Sequence, residues 1–414
     1  MNIFPDMKSP QEALIHPYIS EILSGLRKKT DECFRISTNG SALTPETINM
    51  LAENRPVYLD ISLNSSSPDR RAWLMGDKNP ETVLNSFDLL EKAGIPYSVV
   101  IVPWPFPAKE TMINDLKQTI EFTYSKNPTL IQISLPGYTK NISDKFWFST
   151  EDVWSAIKIN VQSLRSRTGS PIALRPGLYE EYADVDKLNQ PVLLGSVRNS
   201  PISNAGILPG DYILKINGIP VKSRCQARSL LTVLHQSDLK KSSLTVIRNK
   251  KQLDIEFDLL NFGYPYAKES ATHLGAVFAS SGIPEIWIEN LKQTIDEYNA
   301  ENVLLLTSTL VKPLLEKLIA KNGWFSSINL NLHTPENNYF NGNIFMGDLL
   351  TVEDFVFAVN KFMERNIRPD LVVLPSSPFY LSGCGRDLTG RVYLDIERSL
   401  NIPVALVECD PIFD

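Results

Sequence analysis

Cysteine is scarce and dispersed in this chain: Cys33, Cys225, Cys384 and Cys409 are the four in 414 residues, and the nearest pair, Cys384 and Cys409, is 25 positions apart. That spacing suggests neither a disulfide framework nor a CxxC metal knuckle, so reduced thiols and no metal site are expected. Long apolar runs are lacking too. No stretch of about 18 uncharged apolar residues occurs, so nothing reads as a bilayer-spanning segment. The opening MNIFPDMKSPQEAL has neither a basic segment nor an apolar core, so it does not read as a secretory signal, and cytoplasm is the default location. Positive charge is in deficit. A formal net charge of -6 provides no field to gather phosphates and argues against a general nucleic-acid binder. Heptads, low-complexity tracts and charge blocks are also missing.

What is present is the balance of a folded protein, 43% hydrophobic and 21% charged, in a chain long enough for two or three domains. Three segments differ in their patterning. From 9 to 188, short β-rich runs (PVYLDISL, IPYSVVIV, TLIQISL) alternate with helical periodicities such as PETVLNSFDLLEKAG and KETMINDLKQTIEFTYSK. This predicts a parallel sheet with crossover helices, either a barrel or a doubly wound sheet. From 189 to 262 the pattern becomes β-rich and turn-dense: VLLGSVRNSPISNAGILPGDYILKINGIPV, one helix near QARSLLTVL, then SLTVIRNKKQLDIEFDL. Gly206 and Gly210 would supply positive φ, Pro209 would preset a bend, and Asn217-Gly218 marks a hairpin. NFGYPYAKES reads as exposed linker. From 272 to 414 the βα alternation returns in ENVLLLTS, VKPLLEKLIAKNG, DLVVLPS and IPVALVE, which predicts an α/β domain.

The AGILPGDYILKINGIPV stretch resembles a PDZ domain of the bacterial type. The first segment resembles the radical S-adenosylmethionine (SAM) superfamily, with FRISTNG and YLDISLNS matching its third and fourth barrel strands. The third resembles a domain of unknown function that accompanies PDZ modules in some radical SAM proteins, through YFNGNIFMGDLLTVEDF and DLVVLPSSPFYLSGCGRDLTG. The expected fold class is therefore a partial radical-SAM-like α/β barrel, a small β-rich PDZ domain and a C-terminal α/β domain. The resemblance implies SAM and a 4Fe-4S cluster as cofactors. In that family a Gly-Gly-Glu-like loop lets the backbone approach the methionine moiety; here Ser9-Pro10-Gln11 precede a retained Glu12. The family's CxxxCxxC loop, which supplies three thiolates to the cluster, does not occur in this sequence, which is expected to start near the end of the second strand. No cofactor is supported by this chain alone.

Candidate sites follow from position. Ser37, Thr38 and Asn39 would lie at the carboxyl end of a strand, where parallel sheets place their binding loops, although turn chemistry also explains TNG. Asp60, Ser62 and Asn64 alternate along one strand and would share an inward face, either to contact a cofactor or to bond one another or neighbouring strands. His16 has no partner at ligand spacing and reads as a cap. In SGCGRDLTG, the loop Gly383, Cys384, Gly385, Arg386 and Asp387 follows a predicted strand and is a candidate ligand loop, with Cys384 itself an ordinary thiol. The PDZ groove would add a peptide as an extra strand. No apolar-Gly-apolar carboxylate loop precedes VLLGSV, which makes a partner within the same chain as plausible as a foreign peptide.

Three functional readings result. The first is a non-catalytic binding or regulatory protein of radical-SAM-like fold. The second is a radical SAM enzyme of unknown substrate whose CxxxCxxC segment is absent from this chain. The third is a PDZ scaffold with α/β parts that bind unrelated small molecules, which a ligand at SGCGRDLTG would favour.

Overall fold

The computed structural model describes residues 12–165, 170–177, 188–259, 273–280, 282–379 and 385–409. The chain divides into two compact units, the first formed by Met1–Pro136, Phe148–Arg175 and Pro191–Ala279, the second by Gly137–Trp147, Pro176–Gln190 and Ser280–Asp414.

The first unit contains two sheet systems. Strands β1 (Phe34–Thr38), β2 (Val57–Ser62), β3 (Tyr97–Ile101), β4 (Leu130–Ser134) and β5 (Ile172–Arg175) form one parallel sheet in chain order. Sequential order is that of a barrel wall; a doubly wound sheet would reverse its order at a switch point. Between the strands run the helices Pro45–Glu53, Glu81–Ala93, Lys109–Ser125 and Thr150–Arg165. One face is apolar and buried, carried by Ile36, Leu59, Ile61, Val99, Ile131, Ile133 and Leu174. Period-2 alternation sends the polar residues between them to the other face. Left-handed residues follow two of these helices, Gly94 (φ 62°) and Asn127 (φ 56°).

The β-rich module follows in the same unit. Strands β7 (Tyr212–Ile216), β8 (Ile219–Pro220), β9 (Lys241–Arg248) and β10 (Lys251–Asp258) form an antiparallel sheet in the order β10-β9-β7-β8. Gly206, Gly210, Asn217 and Gly218 all take the positive φ their turns require. Asp211 accepts Leu208 N–H at 2.9 Å within its turn. A second, two-stranded sheet pairs β6 (Leu193–Ser196) with β11 (Ala276–Phe278) antiparallel. Leu274, Ala276 and Phe278 are buried in the same core as Leu193, Ile213, Leu231 and Val246. Residues 273–279 therefore complete the module from beyond the expected boundary at 262. The linker stretch 260–272 lies outside the described residues.

In the second unit β12 (Asn302–Leu306), β13 (Asn329–His333), β14 (Leu371–Pro375) and β15 (Val404–Val407) form a parallel sheet in the order β13-β12-β14-β15. The helices Glu285–Glu297, Lys312–Ala320, Val352–Met363 and Leu394–Leu400 bury its faces. This order reverses at the β12/β14 boundary, the arrangement of a doubly wound α/β sheet. Among the described residues, no helix is long and apolar enough to cross a membrane.

Candidate functional site

The carboxyl edge of the first sheet gathers most of the sequence-predicted residues. Glu12 accepts the Thr38 hydroxyl and the Asn39 N–H, both at 2.7 Å, and the Leu14 N–H at 3.4 Å. Thr38 Oγ1 in turn accepts Gly40 N–H at 2.9 Å. Gly40 has φ 82°, and a Cβ there would run into Val83 on the crossover helix Glu81–Ala93. Glu12, Thr38 and Asn39 are thus joined in one knot, and their polar atoms shape the edge. Ser37 is exposed on the opposite face of β1, level with Asp60. His16 sits at the end of a short turn and accepts Tyr18 N–H at 3.2 Å, the expected local role.

Asp60, Ser62 and Asn64 share the polar face. Asp60 accepts a short hydrogen bond from Ser98 on β3, whose hydroxyl also receives Gln132 Nε2 of β4 at 3.4 Å. Arg35 approaches Asp60 at 3.7 Å. Burial, reinforced by the Asp60 charge, pushes the neighbouring Tyr58 phenol up to about 12. Asn64, at φ 60°, uses its side-chain oxygen to accept Val102 N–H at 2.9 Å. The row therefore bonds to the neighbouring strand β3 and the residue that follows it. Ser62 contributes its carbonyl to a residue that sequence reading missed.

That residue is Arg71. Its side chain has no exposure; Nε donates to Asp77 at 2.8 Å, Nη1 donates to the carbonyls of Ser62 (2.9 Å) and Leu63 (2.6 Å), and Nη2 donates to the Asn39 carbonyl. One buried guanidinium thus clamps the ends of β1 and β2 together. Arg70, beside it, donates to Asp115 at 3.0 Å and to the carbonyls of Trp104 and Phe106, which fixes the aromatic PWPFP loop at the end of β3. The signal available was two adjacent arginines in a helix after a strand ending in polar residues; Arg71 has partners 6 to 9 positions away, but Asn39 and the Arg70 partners lie 32 to 45 positions away.

In the PDZ-type module a second arrangement stands out. His273, Leu274 and Gly275 have three successive positive φ values, 46°, 57° and 88°, directly before β11. Gly275 presents its carbonyl to Val197 N–H at 2.8 Å, and a Cβ there would overlap Ser200. His273 Nδ1 lies 2.9 Å from Thr232 Oγ1 on the helix Arg224–Gln236. Burial, and then Arg228, lower the His273 pKa to about 3, so the imidazole is neutral. Among the described residues no strand pairs with the other edge of β11. The apolar-Gly-apolar signature sought before VLLGSV thus exists as Leu274-Gly275-Ala276, downstream of the module's other strands.

The predicted ligand loop of the second unit divides. Gly383 and Cys384 lie outside the described residues. Gly385 has φ 67°. Arg386 donates to the Gly390 carbonyl at 2.7 Å. Asp387 is buried; burial alone would raise its pKa, but hydrogen bonds from Val352 N–H, the Thr389 hydroxyl and the Arg391 and Thr389 amides hold it below the usual range. Asp387 thus serves the loop and the start of the helix Val352–Met363.

Residues 9–123 match the family model of the Radical SAM superfamily, and residues 183–259 match that of the PDZ domain. Among solved structures the chain is similar to Streptococcus suis SuiB (14% identity, 40% of this chain, 37% of that chain, TM-score 0.33). It is also similar to SuiB bound to S-adenosylmethionine (14%, 40%, 37%, 0.32) and to SuiB bound to precursor peptide SuiA (16%, 43%, 39%, 0.34). The match spans less than two fifths of each of those chains.

The radical SAM family implies SAM and a 4Fe-4S cluster. A cluster of that family takes three thiolates from one loop. Here Cys33 precedes β1, Cys225 lies on the helix Arg224–Gln236 and Cys409 follows β15. These residues do not fit the cluster, and among the described residues no group of three or more His, Cys, Asp and Glu side chains could hold a metal.

Proposed function

We propose that this chain acts by binding: its PDZ-type groove takes an extended peptide segment, and its radical-SAM-like edge contributes a shaped polar surface without cluster chemistry of its own. The observation that carries the reading is the edge of β11 that no strand pairs with among the described residues, entered from a loop of three left-handed residues and flanked by the helix Arg224–Gln236. Successive left-handed residues turn backbone N–H groups toward one side, which suits a terminal carboxylate, and the strand edge offers main-chain hydrogen bonds to an added strand. The test is a binding screen of the full chain against a peptide library displayed with free C-terminal carboxylates and against the same library amidated. Selective retention of free-carboxylate peptides, lost when Gly275→Val blocks the loop, is expected. Equal retention of both libraries would remove the carboxylate role.

A second reading has its own support in the Glu12 knot with Thr38 and Asn39, which is where the family resemblance places the approach to SAM. In that reading a CxxxCxxC segment outside this chain completes an enzyme. Reading the DNA upstream of the Met1 codon in frame separates the two: codons for a CxxxCxxC segment there would favour the enzyme, and a stop codon before any such segment would favour the binding protein.

A further inference from the structure

Parallel α/β sheets bind ligands in the crevice outside the carboxyl ends of the strands where strand order reverses. In the second unit that crevice lies between β12 and β14. Three buried oxygens from three segments of this edge, Ser308 Oγ, Thr334 Oγ1 and Asp348 Oδ1, have no hydrogen-bond partner among the described residues. Ser308 follows β12 and is 4% exposed. Thr334 follows His333, the last residue of β13, whose carbonyl accepts Thr307 N–H at 3.0 Å. Asp348 belongs to the turn Gly347–Leu349, which packs against the turn Ser377–Phe379 after β14. Gly347 approaches so closely that a Cβ on it would lie 3.1 Å from Ser308 Cβ. The same turn is anchored by Asn337 Nδ2, which donates to the Leu349 carbonyl at 2.9 Å.

Neighbouring polar groups in this unit are well served. Ser376 Oγ accepts Cys409 N–H at 3.0 Å. Asp354 accepts Thr351 N–H, the Thr351 hydroxyl and Asn338 N–H. A fold that satisfies these groups but leaves three buried oxygens open at its switch point has built polarity for something other than itself, because an unmade buried hydrogen bond is a net loss to stability.

We propose that this crevice is a binding site for a small ligand bearing vicinal hydroxyls, a sugar or a nucleoside. Asp348 accepts hydrogen bonds from the ligand hydroxyls, and Ser308 and Thr334 donate and accept at its rim. A hydroxyl-rich ligand matches the charge state of the site. Burial pushes the Asp348 carboxyl up, against a backbone hydrogen bond that lowers it. A partner that donates hydrogen without bringing a full charge serves such a carboxyl whether or not it is ionised.

The test uses the full chain and the variants Ser308→Ala and Asp348→Ala, with adenosine and ribose as probes in thermal-shift and calorimetric titrations. Without probe, both variants should melt at or above the parent temperature, since each removes an unsatisfied buried group. With probe, the parent should show a saturable upward shift that each variant loses, with affinity at least tenfold weaker. Binding of adenosine alone would identify a nucleoside as the ligand, and binding of ribose alone a sugar. Variants that melt well below the parent would show that ordered water already satisfies these atoms and would overturn the site. Failure of both probes to shift the parent would overturn the ligand class.

Discussion

Replacing Arg71 with Met is the sharpest perturbation of the first sheet, because one side chain with no exposure holds four acceptors together. Methionine fills similar volume, so the loss is polar. It leaves Asp77, whose side chain is only 6% exposed, without its counter-charge, and it frees the carbonyls of Asn39, Ser62 and Leu63. Breaking a buried ion pair from one side costs about 3–5 kcal/mol, and each orphaned carbonyl about 1–3 kcal/mol if water cannot reach it. These contributions are not additive, and an opened edge admits water, so we expect about 4 kcal/mol. At 1.4 kcal/mol per factor of ten, that is on the order of a thousandfold faster amide hydrogen exchange along β1 and β2. Exchange read by mass spectrometry of the full chain measures it locally, without assuming that both units unfold together. Arg71→Met combined with Asp77→Leu should recover at least about 1 kcal/mol of the loss, because the stranded carboxylate is gone. Arg71→Lys should fall between, since an ammonium keeps the charge but cannot span four acceptors with a planar fork. If exchange in Arg71→Met rises less than about tenfold, the guanidinium is not what joins the two strand ends.

Much of the fold was legible because it rests on short-range signals. The alternation in LDISLN placed Asp60, Ser62 and Asn64 on one face, and Asn217-Gly218 gave the hairpin, since strand pleat and left-handed φ are local properties. The barrel-or-open-sheet alternative was not decidable locally, because strand order is a property of the whole sheet. It resolved as sequential in the first unit and reversed in the second. The site was only half legible for a related reason. Glu12 and the polar face could be named from position, but what each polar atom does depends on partners far along the chain: Glu12 with Thr38 at 26 residues, Asp60 with Ser98 at 38, Arg71 with Asn39 at 32. Arg386 and Asp387 show the converse. Glycine-flanked charge in a loop after a strand reads the same whether it awaits a ligand or ties down its own backbone, and here both residues bond the loop.

Asp211→Ala should cost the PDZ-type module about 2–4 kcal/mol, because the carboxylate is 1% exposed and takes a forked pair from Arg248 at 2.8 and 2.6 Å besides the Leu208 N–H. Gly210→Val should cost less, about 1–2 kcal/mol of left-handed strain, since a Cβ at 210 meets nothing within 4 Å; urea melts that reverse this ranking would discredit the turn geometry. The unfolded chain protonates His273 near pH 6.5, whereas the folded site resists until about pH 3. The unfolded state therefore binds more protons in that window, and the module should lose about 1 kcal/mol per pH unit on acidification below pH 6.5, a slope that His273→Asn should flatten. The last expectation concerns the module's extent. A fragment of residues 189–262 contains β6 to β10 but not β11, so it lacks Leu274, Ala276 and Phe278, which are 0, 5 and 6% exposed in the core. It also leaves β6 without its strand partner and Val197 N–H without the Gly275 carbonyl. Each lost large apolar side chain removes about 1.5–3 kcal/mol of burial, against a total stability of a few kcal/mol for a domain this small. The 189–262 fragment should therefore be largely unfolded by circular dichroism and bind the dye ANS, while residues 189–280 should melt cooperatively. Equal cooperativity in both fragments would mean that β11 adds nothing to the core, and would take away the strand edge on which the proposed peptide groove depends.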